Sequence, residues 1–364
     1  MDYARRQDSL HSMLCHHHLD GLLIMHVPNI RYLSGFTGSS AVLLLTESKS
    51  VLFTDGRYSA QAHNEVRGAK IVISRKAPIL SAAAWLVGNR SSFRKSRIKI
   101  GVEGEHLSVA ARSRLSKILP PGFLLRETPP LVEQARLIKD GEEIALIGRA
   151  VQVAASLFDL VLKNVRPGIT EAEVAAELEY AARKSGAEAM SFPTIIGAGL
   201  RSSLPHARAS QAAIPPSGFV VCDFGVILAG YCSDMTRTVH VGGPTAEARK
   251  LYDAVREAQQ AAIDVVKPGA RVSEVDRAAR KQLQKKGLGK YFTHSTGHGV
   301  GLEIHEPPRV AVGQAEVLRP GMVITIEPGA YIPDKWGVRI EDMVLVTERG
   351  CEVLTPTSKE LITV

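Results

Sequence analysis

Apolar residues recur along the first third of the chain in short runs bounded by turn formers. Between Leu19 and Asp55 the runs Gly21-Leu22-Leu23-Ile24-Met25, Ala41-Val42-Leu43-Leu44-Leu45 and Ser50-Val51-Leu52-Phe53 predict strands. Pro28-Asn29, Gly35 and Gly38 read as turns between them. Strand patterns at 69–73 and 97–102 then alternate with helical patterns, which predicts an α/β layer domain. At Glu127-Thr128-Pro129-Pro130 the composition shifts, and from about Ala135 a long amphipathic helix pattern begins, broken only at Arg166-Pro167-Gly168. The domain boundary is expected near residue 130, giving segments 1–130 and 131–364.

The second segment repeats itself weakly. Val165-Arg166-Pro167-Gly168, with Thr170-Glu171 opening a helix, returns 101 residues later as Val266-Lys267-Pro268-Gly269, with Ser273-Glu274 following. Each half then runs through a histidine-bearing loop into a proline-glycine turn that feeds an apolar strand ending in an acid: Phe219-Val220-Val221-Cys222-Asp223 and Val323-Ile324-Thr325-Ile326-Glu327. Two facing helix-helix-strand-strand halves would make an α+β domain with a pseudo-twofold axis. The internal interface of such a domain is the natural place for a ligand cleft.

Composition narrows the class. With 364 residues, 45% of them hydrophobic and 23% charged, the chain is long enough for two domains and apolar enough to bury a core. Leu22 to Met25 is too short for a signal-peptide core, and no segment is expected to span a bilayer. Cys15, Cys222, Cys232 and Cys351 form no CxxC pair and are too scattered for a disulfide scaffold, so a cytoplasmic location with reduced thiols is expected. The net charge of +8 divides unevenly: residues 1–130 hold 18 Lys/Arg against 9 Asp/Glu, and residues 131–364 hold 27 against 28. The excess therefore lies in the first segment, around Arg90, Arg94, Lys95, Arg97 and Lys99. No aromatic stacking motif accompanies it, so neither nucleic acid nor membrane is expected as a partner.

The chemistry is carried by acids in apolar places. Asp223 and Glu327 occupy matching strand ends, where an isolated ionised carboxylate would be costly to bury. Each is followed on the next strand-like segment by a second acid, Asp234 and Glu341. Four carboxylates converging in one cleft repel unless cations neutralise them. His298 lies among glycines in Thr296-Gly297-His298-Gly299-Val300-Gly301, where the backbone passes close to a ligand. An oxygen-rich set with an imidazole suits divalent Mn, Co, Fe or Zn. The residues thus point to a two-metal site held by Asp223, Asp234, His298, Glu327 and Glu341, of the kind that polarises a carbonyl or phosphoryl oxygen and activates water. Arg339, two positions before Glu341, is placed to offset the negative cluster. Cys222 and Cys232 flank ligands, but alternation along a strand turns a neighbour of Asp223 to the opposite face.

These motifs, in order, resemble the aminopeptidase P and prolidase branch of the methionine aminopeptidase superfamily. The segment from Pro28 to Gly38 and Phe53-Thr54-Asp55-Gly56-Arg57-Tyr58 look like its creatinase-type N-terminal domain. Pro205-His206-Ala207, Ser233-Asp234-Met235-Thr236-Arg237-Thr238, His294 to Gly301, His305-Glu306, Ile326-Glu327-Pro328-Gly329 and Arg339-Ile340-Glu341-Asp342 look like its catalytic motifs. The resemblance implies a pita-bread catalytic domain and two divalent ions per subunit, manganese first, with cobalt or zinc as alternatives. It implies cleavage before a proline in the second position of a peptide, and a homodimer or higher homo-oligomer. By the same resemblance Asp223 would be bidentate, Asp234 and Glu341 would bridge, and His298 and Glu327 would complete the second ion. Glu327 would also be the proton acceptor. His206 and His305 would donate to the scissile region, with His294 lining the proline-side pocket.

Within that branch the expectation leans to an Xaa-Pro aminopeptidase acting on longer peptides. The alternative is a prolidase, which needs a cation for the carboxylate of a dipeptide. A non-catalytic pita-bread binding protein is the remaining class, and the intact ligand set argues against it.

Overall fold

The apolar runs of the first segment form one six-stranded mixed sheet. Its order is Lys70–Ser74, Ser50–Asp55, Ala41–Thr46, Gly21–Ile24, Ile98–Glu103 and Phe123–Thr128. Residues 1–364 are described by a computed structural model, which divides into the units Met1–Arg136 and Leu137–Val364. Every residue of Ala41–Thr46 is buried, the pattern of a strand covered on both faces. The helices Pro78–Gly88 and Val109–Ile118 pack on the sheet through Leu86 and Leu115 against Val51, Phe53 and Ile98.

Three local readings change. The segment around Pro28-Asn29 is a helix, Val27–Ser34, rather than a turn: Pro28 sits in its first turn, where its missing N–H costs nothing, and Gly35 ends it at φ 79°. The strand Phe123–Thr128 lies where only a compositional shift was legible. The short helix Leu131–Arg136 belongs to the first unit, so the division falls after it and not at Pro129-Pro130.

The long helix of the second unit starts at Gly141 and not near Ala135, because Asp140 and Glu143 form a reciprocal capping box. Running from Gly141 to Asn164, it is long and apolar enough by length and composition to cross a membrane, contrary to the expectation that no segment is. Its apolar stripe instead joins a core, through Ala150, Ala154, Leu157, Phe158 and Val161.

The internal repeat reappears as matched backbone contacts. Gly168 and Gly269 take φ 87° and 85°. The Gly168 N–H donates to Ile214 O and the Gly269 N–H to Leu318 O, both at 2.9 Å. The return bonds, Ile214 N–H to Ile169 O and Leu318 N–H to Ala270 O, are both 2.8 Å. One half packs the helices Gly141–Asn164 and Glu171–Lys184 on a sheet centred on Gly218–Phe224, and the other packs Ala246–Ile263 and Val272–Lys285 on a sheet containing Val323–Ile326. The halves meet where the Glu341 N–H donates to Thr236 O at 3.1 Å and the Thr238 hydroxyl donates to Arg339 O at 2.8 Å. This is the pita-bread architecture, α+β with a pseudo-twofold axis, and the first unit is an α/β domain.

A methyl group at Gly168 or Gly269 would meet no neighbouring atom, so only the left-handed backbone opposes it. Gly168→Ala and Gly269→Ala should therefore each destabilise by about 1 kcal/mol, with matching values in urea unfolding. A large difference between them would contradict the equivalence of the two corners.

Candidate metal centre

Asp223 lies on Gly218–Phe224, in register with Thr236 on the antiparallel strand Met235–Val241 and with Ile195 on the other side. Asp234 directly precedes Met235–Val241. Glu327 directly follows Val323–Ile326, and Glu341 lies in the short link between Trp336–Arg339 and Asp342–Val346. Strand ends are the physical solution here, because backbone pairing holds each acid in place while its side chain leaves the sheet. Asp223, Asp234 and Glu341 are buried, and the Glu327 side chain is 16% exposed.

His298 joins them from the three-residue strand Gly297–Gly299. A side chain on Gly297 or Gly299 would strike the carbonyls of Thr325 or Pro307, so only glycine lets this strand approach its neighbours. The His298 Nδ1–H donates to Gly299 O at 3.0 Å, which leaves the Nε2 lone pair facing the acids. That nitrogen is 3.6 Å from Asp234 Oδ2 and 3.5 Å from Glu327 Oε1. Burial pulls the His298 pKa down to about 4, so the ring is neutral, as a ligand must be.

The buried permanent cation beside the four acids is Arg339. Arg339 pairs with Asp223 Oδ2, while Asp223 Oδ1 is buried with no hydrogen-bond partner. Burial, followed by repulsion from Glu341, Asp223 and Glu327, pushes the Asp234 carboxyl well up; burial, then Glu327 and Asp223, does the same to Glu341. Glu327 rises to about 7 through burial first and Asp223 after it, against the opposing pull of Arg339. An oxygen-rich pocket with an orphaned carboxylate oxygen, a bare imidazole nitrogen and surplus negative charge fits divalent cations. One ligand atom each from Asp234, His298 and Glu341 can be chosen so that all three lie within 4.8 Å of one another.

The remaining residues singled out from the sequence line the same cavity, which measures about 790 Å³: His206, His294, His305 and Arg339 share its wall with the four acids and the His298 imidazole. His294 donates from Nδ1 to Ser295 O at 2.8 Å, so its Nε2 accepts from the Tyr331 hydroxyl at 3.0 Å. Burial and then Arg339 bring the His294 pKa down to about 3, and burial pushes Tyr331 up to about 12, so this bond joins two neutral groups. His305 packs edge-on to His298 with ring centroids 4.4 Å apart. Its pKa is lowered by burial and by His206. Cys222 sits in the apolar core on the far face of its strand.

Several contributors are given no role from the sequence, although Thr236, Arg237 and Asp342 fall within the motifs that carry the resemblance. Thr236 donates to Glu341 Oε2 at 2.7 Å, and Thr325 donates to Glu327 Oε1 at 3.4 Å. Arg237 is fully buried and pairs at 2.7 Å with Asp342, the sequence neighbour of Glu341. Gln259 and Lys359 also hold Asp342, so of two adjacent acids one enters the cleft and the other ties the scaffold. Arg208, Arg309 and the apolar Phe192, Ile304 and Pro307 complete the cavity wall. Arg309 is exposed and lies opposite His298 in strand register, a position that periodicity alone does not mark.

The chain matches Metallopeptidase family M24 over residues 145–348 and the Creatinase/Prolidase N-terminal domain over residues 6–138. A Pyrococcus horikoshii protein named Xaa-Pro dipeptidase is 37% identical over 345 residues, 94% of this chain and 95% of that one. Among solved structures, an Xaa-Pro dipeptidase from Bacillus anthracis superimposes with a TM-score of 0.94 at 39% identity over 100% of both chains. An X-Pro aminopeptidase from Thermotoga maritima does so with a TM-score of 0.89 at 34% identity, covering 98% of this chain and 99% of that one.

Because protons stand in for cations on the raised carboxyls, Mn²⁺ binding at pH 6 should release about one proton or more, seen as a buffer-dependent heat in calorimetry. Apparent affinity should climb from pH 5.5 to 7.5, since Glu327 titrates at about 7 while His298, at about 4, is already neutral. Proton-neutral binding would contradict the assignment. Asp234→Ala or Glu341→Ala should remove at least one bound ion by elemental analysis, and retention of both ions with an unchanged rate would refute the ligand set.

Proposed function

The chain belongs to metallopeptidase family M24, and from that premise we propose that it is a dinuclear metallopeptidase hydrolysing Xaa-Pro dipeptides. The observation that carries the proposal is the buried convergence of Asp223, Asp234, His298, Glu327 and Glu341 in a cavity that also presents arginine side chains. Two divalent ions held by those five residues, manganese first, would supply positive charge to the scissile carbonyl oxygen and acidify a water.

The chain's own groups account for the rest of the reaction. Glu327, which lines the cavity among the other acids, is placed to take a proton from the attacking water and pass it toward the leaving prolyl nitrogen. His206 and His305 line the cavity as donors to the oxygen on which negative charge develops. His294 has both ring nitrogens committed, so it serves as a neutral wall of the proline pocket, with Phe192, Ile304 and Pro307 as the apolar remainder. Arg339 offsets part of the charge on Asp223 and keeps the Tyr331 hydroxyl turned to His294.

Dipeptide preference is favoured over the longer-peptide preference toward which the sequence reading leans, because Arg208 and Arg309 supply cations for a proline carboxylate inside the cavity. The relatives named Xaa-Pro dipeptidase support the same choice. An Xaa-Pro aminopeptidase is the second reading, favoured by the likeness to the Thermotoga structure. The four cysteines are unpaired, which supports a cytoplasmic location.

Chelation should abolish hydrolysis of Xaa-Pro dipeptides, and Mn, Co or Zn should restore it; full activity in metal-free protein would overturn the dinuclear reading. Xaa-Pro dipeptides should be turned over well ahead of Xaa-Pro-Yaa tripeptides, and the reverse order would select the aminopeptidase. Arg309→Met should raise KM for dipeptides by roughly tenfold to a hundredfold, the effect of losing a charge-assisted contact, with little change for tripeptides.

A further inference from the structure

Each half of the second unit contains a fully buried carboxylate on its second helix that the metal centre does not use. These are Glu171, at the start of Glu171–Lys184, and Asp276, on Val272–Lys285. Neither faces the acids of the cleft. Each pairs with an arginine, and each pair grips the loop that carries a cleft histidine.

In the second half, Asp276 pairs with Arg280 at 2.7 Å and accepts from the Thr296 hydroxyl at 2.8 Å. Arg280 then forks to two main-chain carbonyls, donating to His294 O at 2.6 Å and to Phe292 O at 3.1 Å. Its guanidinium lies over the Phe292 ring, 4.3 Å from the centroid, and that ring packs edge-on to His294. Thr296 continues the chain of contacts, since its carbonyl accepts from the Glu327 N–H at 2.8 Å.

In the first half, Glu171 holds both ends of the loop that contains His206. Its carboxylate accepts from the Ala198 N–H at 2.9 Å, the Ser210 N–H at 3.0 Å and the Ser210 hydroxyl at 2.7 Å. Arg201 pairs with Glu171 at 2.9 Å and reaches across the loop to Arg208 O at 2.8 Å. His206 therefore sits inside a clasp closed from both sides.

We propose that Asp276–Arg280 and Glu171–Arg201 are positioning pairs, one in each half of the repeat, that set His294 and His206 toward the cleft. A carboxylate locked to a planar guanidinium fork is a rigid bracket, able to fix a loop carbonyl to within the fraction of an ångström that catalysis requires. A lysine in place of either arginine preserves the charge opposite the buried acid, so the chain still folds, but it cannot reach both loop partners at once. Sequence gives little sign of the pairs: Asp276 and Arg280 are an ordinary i,i+4 couple, and Glu171 reads as a first-turn acid.

The kinetic test rests on the peptidase reading; the spectroscopic one does not. With Mn²⁺ loaded, Arg280→Lys should raise KM for an Xaa-Pro dipeptide about tenfold while the cation affinity measured by calorimetry stays within about twofold. The decisive comparison is with His294→Ala. If Arg280 acts through His294, Arg280→Lys adds nothing further in that background, whereas a merely structural role costs the same in both. Arg201→Lys against His206→Ala should behave likewise, with the loss in kcat. In the metal-free protein, the ¹⁵N shifts of the His294 ring should move in Arg280→Lys and those of His206 in Arg201→Lys. Unmoved shifts together with additive kinetics would overturn the proposal. A wild-type protein that hydrolyses no Xaa-Pro dipeptide would sink the functional reading instead, leaving the ¹⁵N shifts to decide the positioning pairs.

Discussion

The second unit is organised around a problem of like charge. Four carboxylates meet in one cleft with the buried Arg339 paired to one of them, and one oxygen of Asp223 is left without a partner. Burial leaves little water to screen them, so protonation or bound cations must relieve the repulsion. The raised pKa values of Asp234, Glu327 and Glu341 and the depressed value of His298 are two sides of that constraint. Burial disfavours the charged form of each. The result is a site suited to trade protons for divalent cations, with the bare Nε2 of His298 turned toward the acids.

Holding such a cluster together requires a scaffold that does not yield. The repeat provides it by placing each acid at the end of a strand whose backbone is already paired, and by joining the two halves through Thr236, Thr238, Arg339 and Glu341. Beside the cleft, Arg237 and Asp342 form a buried pair with further support from Gln259 and Lys359. Adjacent residues in the chain thus serve opposite ends: Glu341 carries charge into the cavity, and Asp342 spends its own on the framework. The histidine-bearing loops are treated in the same manner, each clasped by a carboxylate and an arginine from outside the metal centre.

Much of this was legible in the chain. The Pro-Gly corners 101 residues apart, the acids at the ends of apolar runs and the glycines around His298 each violate an ordinary preference, and such violations mark sites. The N-terminal strands between Gly21 and Glu103 were legible for the opposite reason, being unbroken apolar runs between turn formers. The helix at Val27–Ser34 was not, because a first-turn proline and a closing glycine look the same in sequence as a turn. The strand Phe123–Thr128 was hidden by a charged end, and the apolar helix Gly141–Asn164 carries a composition that length alone cannot distinguish from a membrane span.

By itself the sequence determined the class of chemistry, because residue type sets ligand softness, charge and the cost of burial, and the order of the acids and histidines fixed which groups were available. It also determined the two-part organisation and the repeat, since both are written as periodicity. Only the tertiary structure decided which oxygen of Asp223 lacks a partner, that Asp342 ties the scaffold through Arg237, that Tyr331 and Thr236 orient their neighbours, and that Arg309 stands across from His298. Those outcomes depend on contacts between residues distant in the chain, and no local pattern encodes which long-range partner a polar side chain will meet.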